Sequence, residues 1–111
     1  MQSNSEKTER DPNKELINIH KHKKIDGTGL SFDEALEVFD DEFYIERFDD
    51  QHSKIDDLRY QVIGRVKSQL VVFVVYQAKK DDIKRIISAR PALERERKFY
   101  YEQIRRYYQG M

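Results

Sequence analysis

Hydrophobic positions change their period near residue 43, and the two periods predict two kinds of element. Before it the spacing is helical. Asp11 followed by Pro12 offers an N-cap acceptor and a proline at the first helical position. Leu16, Ile17 and Ile19 or His20 then recur on one side, which predicts a helix from Pro12 to about Lys21. Lys23 to Gly29 contains Asp26-Gly27 and a second glycine and reads as a loop. Ser31-Phe32-Asp33-Glu34 is a capping box, and Phe32, Ala35, Leu36 and Phe39 behind it share a face, predicting a second, short helix.

After residue 43 the segments Phe43 to Phe48, Arg59 to Val66, Leu70 to Gln77 and Asp82 to Ala89 are rich in β-branched and aromatic side chains. Short links at Lys67-Ser68-Gln69 and Lys79-Lys80-Asp81 suit hairpins, so a four-stranded antiparallel meander is expected. Leu70 to Tyr76 is apolar throughout, as a central strand covered on both faces would be; its neighbours are half polar. Pro91 is read as the opening of a long C-terminal helix ending near Gly110, with Leu93, Tyr100, Ile104 and Tyr107 or Tyr108 along one stripe. The three helices are expected on one face of the sheet. Residues 1–10 hold no apolar side chain beyond Met1 and are expected to be mobile or at most a weak edge strand, leaving 11–111 as a single α+β domain.

Charge changes the picture more than composition does. The 111 residues have zero formal net charge, which argues against a general nucleic-acid binder. The distribution says more: residues 31–57 carry two basic and eleven acidic side chains, residues 58–111 thirteen and five. The acidic stretch is either a solvated helix and loop or a surface for a basic partner, and the basic half is suited to phosphate. With no cysteine there is neither a disulfide framework nor a thiolate metal cluster. The longest apolar run, Leu70 to Tyr76, is too short to span a bilayer, and Met1 to Arg10 is polar, so the cytoplasm is the expected compartment.

Strand alternation places Arg59, Gln61, Ile63 and Arg65 on one face, and Lys84, Ile86, Ser88 and Arg90 on one face of another strand. If both strands flank the apolar one, Arg59, Arg65, Lys84 and Arg90 converge on an open surface where a phosphate site can be built. Ordinary solvated strand positions would give the same pattern. Metal-free RNA cleavage needs a base for the 2′-hydroxyl, an acid for the leaving oxygen and cations for the phosphorane, roles within reach of imidazole, Lys and Arg. The histidines are His20, His22 and His52; the first two lack the i, i+4 spacing of a helical zinc pair, and no metal or other cofactor is assigned.

Four blocks in this order are similar to the BrnT family: Asp11-Pro12-x-Lys14 with Asn18-x-x-Lys21-His22; Gly29-Leu30-Ser31-Phe32-Asp33-Glu34-Ala35 leading to Val38-Phe39; Asp49-Asp50-x-His52 followed by Arg59 and Ile63-Gly64; and Ile86-Ile87-Ser88-Ala89-Arg90-x-Ala92 with Glu94-Arg95 and Tyr100. The resemblance covers about positions 11 to 101. It implies a RelE-like α+β fold, (β)-α-α-β-β-β-β-α, with a four- to five-stranded antiparallel sheet. It also implies a type II toxin that cuts mRNA and is silenced by a ribbon-helix-helix, BrnA-like antitoxin, with operator DNA reached only through that antitoxin and no membrane role. Carried over by residue, it implies Lys21, His22, Arg59 and Arg90 as catalytic groups, with Arg65, Lys84 and Ser88 beside them on the RNA-binding face. The alternative is a non-catalytic binder that holds its antitoxin and co-represses the operon. The chain departs from the family pattern at Glu6 to Arg10, where the first strand usually ends in an aromatic, at an insertion over Lys23 to Thr28, and in a longer C-terminal helix over Gln103 to Tyr108.

Overall fold

The computed structural model describes residues 7–21, 24 and 29–110. The Asp11 carboxylate accepts the N–H groups of Asn13 and Lys14 at 2.8 and 3.4 Å, and helix α1 runs over Pro12–Lys21 as its cap and proline dictate. Ser31 accepts the Glu34 N–H at 3.1 Å and opens α2, Phe32–Leu36. Glu34 pairs its carboxylate with Lys24 Nζ at 3.0 Å, and Glu15 of α1 reaches across to accept the Phe32 N–H at 2.7 Å. A 3₁₀ turn, Glu37–Asp40, continues α2.

The strands are β1, Thr8–Arg10; β2, Ile45–Phe48; β3, Leu58–Arg65; β4, Val71–Ala78; and β5, Lys84–Pro91. They form one sheet in the order β1-β5-β4-β3-β2, antiparallel except for β1, which lies parallel to β5. Thr8–Arg10 is thus the weak edge strand of the expected α+β order; residues 1–6 lie outside the described residues. Apolar β4 sits at the centre of the sheet. Pro91 ends β5 instead of opening the last helix: it stands opposite Val72, and the Ala92 N–H still reaches Val71 O at 2.9 Å. Helix α3 therefore begins later, at Glu94, and runs to Gln109, with the Glu96 carboxylate accepting the Leu93 N–H at 2.7 Å.

The two faces of the sheet are covered by different helices, contrary to the expectation of three on one side. On the first face, Phe32, Ala35, Leu36, Val38 and Phe39 pack on Val62, Val72, Val74, Tyr76, Ile86 and Ala89. On the second, Tyr100 and Ile104 of α3 pack on Val71, Ile63, Ile45 and Phe43. This division follows from β4: Val72 and Val74 point one way and Val71 the other, so both faces need cover. Truncating a fully buried aromatic such as Phe32 or Tyr100 to alanine costs about 3–5 kcal/mol in such a core.

Two polar clamps fix the layers. Asn18 of α1 is buried, and its side-chain amide bonds Ala89 in both directions, Nδ2 to Ala89 O at 2.6 Å and Ala89 N to Oδ1 at 2.9 Å. It takes the place of an edge strand where β1 has ended. Asp41, after the 3₁₀ turn, accepts the N–H groups of Phe43 and Arg65 at 3.0 and 2.8 Å and the buried Tyr100 hydroxyl. Burial, with that bond to a carboxylate, pushes the Tyr100 phenol well up. Gly64 is needed at this junction, since a Cβ there would run into Val38 Cγ2.

Candidate active site

On the second face, α3 crosses only one end of the sheet, leaving a cleft of about 240 Å³ between its first turns and strands β2 to β4. Ile45, Ile63 and Phe73 form its floor, and Arg47, Gln61, Arg95, Glu96 and Phe99 its walls. Arg47 donates from Nε to Gln61 Oε1 at 2.7 Å. Arginines beside aromatic rings suit single-stranded RNA, whose phosphates want cations and whose bases want flat surfaces.

Register shows which expected residues reach this face. Arg59 stands opposite Gln77 and Arg90 opposite Phe73, so both lie on the cleft side of the sheet, with Ser88 opposite Val75 between the strands. Arg90 stacks on Phe73, Cζ lying 4.2 Å from the ring centroid, and forks onto Glu96 through two bonds of 2.7 and 2.9 Å. Burial alone would raise the Glu96 carboxyl, but the Arg90 bonds and the Leu93 N–H outweigh it and hold the group below the usual carboxylate range. Arg59 binds Asp57 from Nε and Nη2 at 3.2 and 3.1 Å, and that pairing holds the Asp57 carboxyl low. The offset of four positions along β4 and two strand spacings puts the Cα atoms of Arg59 and Arg90 roughly 17 Å apart. Both lie on the cleft side of the sheet, but the arginines that line the cleft itself are Arg47 and Arg95.

Lys84 and Arg65 do not join them. Val75 pairs with Ser88 but Tyr76 with Ile86, leaving Ile87 as a bulged residue that reverses the alternation of β5. Lys84 and Ile86 therefore point to the first face, where the Lys84 ammonium lies 5.4 and 5.6 Å from the rings of Phe39 and Tyr76. Arg65 shares the face of Arg59 but is six positions further along, and lines a groove with the acidic Glu37, Asp40, Asp41 and Glu42. Lys21 closes α1, one turn beyond Asn18, the residue that bonds Ala89 of β5. The six-residue insertion falls outside the described residues except for Lys24, and His22 lies outside them as well.

Alternation could have supplied Arg47, which shares a face with Ile45, and i, i+4 spacing could have paired Arg95 with Phe99. Asp49 and His52 stand in a matching block of the sequence, yet only the folded chain shows them as a pair. Asp49 is 5% exposed, and both of its carboxylate oxygens lie 3.0 Å from His52 Nδ1. Burial would raise the Asp49 carboxyl, but hydrogen bonds from His52 and Gln61 bring it below its ordinary value. Among the described residues no three His, Asp or Glu side chains are grouped to hold a metal.

Residues 11–96 match the family model described as the ribonuclease toxin BrnT of type II toxin–antitoxin systems. The chain belongs to the BrnT family. That family assignment carries with it ribonuclease toxins and an antitoxin partner at the level of the family. Among solved structures the chain is similar to the crystal structure of the Brucella abortus ribonuclease toxin BrnT, at 22% identity and a TM-score of 0.47, over 78% of this chain and 96% of that one. No curated protein matches. The BrnT match ends at Glu96, so most of α3 lies beyond it. Among the described residues no helix is long and apolar enough to cross a membrane.

Proposed function

We propose that this BrnT-family chain is a metal-independent endoribonuclease that cuts mRNA and so inhibits translation and growth in the cytoplasm. On this reading it is held silent by a ribbon-helix-helix, BrnA-like antitoxin. The observation that carries the reading is the cleft on the second face: an apolar floor with Phe73, a wall with Phe99, Arg47 and Arg95, and Arg59 and Arg90 on the same face of the sheet. RNA lying across it would meet cations along its backbone and rings under its bases. In this reading Arg59 and Arg90 stabilise charge on the phosphorane, Lys21 at the end of α1 and His22, next to it in sequence, serve as proton-transfer or phosphate groups, and Ser88 contacts the backbone. Internal attack of the 2′-hydroxyl would leave a 2′,3′-cyclic phosphate and a 5′-hydroxyl.

Arg59 and Arg90 are each already bonded to a carboxylate, which also suits the non-catalytic alternative, an antitoxin-binding co-repressor. Incubating the antitoxin-free chain with mRNA separates the two. Cleavage to cyclic-phosphate ends, with a loss on the order of 10²-fold in Arg90→Ala, is expected for an electrostatic catalyst. Intact RNA in the presence of folded protein and bound antitoxin would instead support the co-repressor.

A further inference from the structure

We propose that His52, held by Asp49, is the general base that takes the 2′-hydroxyl proton; this rests on the ribonuclease reading and deepens it. The Asp49 backbone N–H is bonded to Arg59 O at 2.9 Å, which anchors the residue to β3 just beyond the end of β2. Its buried carboxylate faces His52 Nδ1 with both oxygens at 3.0 Å. A carboxylate in that position calls for a proton on Nδ1, so the neutral ring presents its lone pair at Nε2. The His52 side chain is 65% exposed, so this face of the ring is open to an incoming hydroxyl.

The pair is continuous with the cleft. Gln61, one of the groups that hold the Asp49 carboxyl low, accepts from Arg47 Nε at 2.7 Å and lines the cleft wall. The Asp49–His52 pair thus follows β2 directly beyond the Arg47–Gln61 pair that walls the cleft. Turn formation accounts for part of this, because Asp49 Oδ1 also accepts the His52 N–H at 3.3 Å. A turn cap needs one oxygen on one N–H, and asparagine would serve as well. It does not require an imidazole whose Nδ1 faces both carboxylate oxygens. In the reaction the O2′–H bond gives its proton to Nε2, and O2′ bonds to phosphorus. The P–O5′ bond breaks, O5′ takes a proton from water, and the imidazolium returns its proton to solvent.

The test is steady-state cleavage of an RNA oligonucleotide by the full chain. His52→Ala is expected to keep its fold and its KM and to lose kcat by about 10²–10⁴-fold, the usual share of a proton-transfer group. Added imidazole should restore part of that rate in His52→Ala and none in Arg90→Ala. Asp49→Asn, which keeps a turn acceptor, should lower kcat without unfolding the chain. His52→Asn serves if the alanine variant fails to fold, and is expected to be folded with the same loss. Wild-type cleavage together with unchanged kcat in a folded His52 variant overturns the base while leaving the ribonuclease reading intact. RNA left whole by the wild-type chain overturns both.

Discussion

Glu96 joins three parts of the molecule through one carboxylate: it caps α3 at Leu93, forks onto Arg90 and lines the cleft. Its ionised form is favoured in the fold, so its pKa is lower folded than unfolded. That contribution to stability is complete above the ordinary glutamate pKa and is lost as pH falls through the lowered folded value. Asp49 acts in the same direction. Urea midpoints measured from neutral pH down into the acid range should therefore fall, and fall less steeply in Glu96→Gln; an identical acid slope in the variant would refute the assignment. None of this was legible beforehand, because Glu96 reads only as a polar residue of an amphipathic helix. Asn18 is similar. Its burial depends on a bond to Ala89, 71 residues away, which no local pattern announces. Asp11 and Ser31, whose work is local, were legible.

At the scale of the element, the legible features were those with uninterrupted periods and strong ends. Pro12–Lys21 and the apolar β4 came directly from spacing. Strand β5 did not, because the expectation assumed a strict period of two and the Ile87 bulge breaks it. That one residue sends Lys84 to the face opposite Arg90. Placement of the helices failed for a related reason: the stripe on α3 says that it is buried, but not on which side. The bulge makes a prediction about a pair of variants. Lys84→Ala should leave RNA cleavage within about twofold of wild type while costing roughly 0.5–2 kcal/mol through its lost contact with Phe39 and Tyr76. Arg90→Ala should lose cleavage. Equal losses of cleavage in both would mean that the two faces do not divide the work in this way.

Across the whole molecule, part of the acidic stretch seen in the sequence comes to lie beside an aromatic end. Phe43 lines the acidic groove of Glu37, Asp40, Asp41 and Glu42, and its ring also meets Tyr107 and Tyr108 at 5.3 and 5.8 Å between centroids. Tyr107 and Tyr108 are more than half exposed, at 56% and 58%, whereas Tyr100 is buried and unavailable to a partner. The acidic stretch and the helix end, alternatives along the chain, are neighbours in the fold. A basic amphipathic antitoxin segment lying over both would make exposed ion pairs with one and bury apolar surface on the other. Salt screens the first kind of contact and hardly touches the second. Affinity for the antitoxin should therefore fall with ionic strength and then level off. Asp40→Asn with Glu42→Gln should flatten the fall, and Tyr107→Ser with Tyr108→Ser should lower the plateau, each measured by titration at low and high salt. Binding that is unchanged by both pairs would place the antitoxin elsewhere on the toxin.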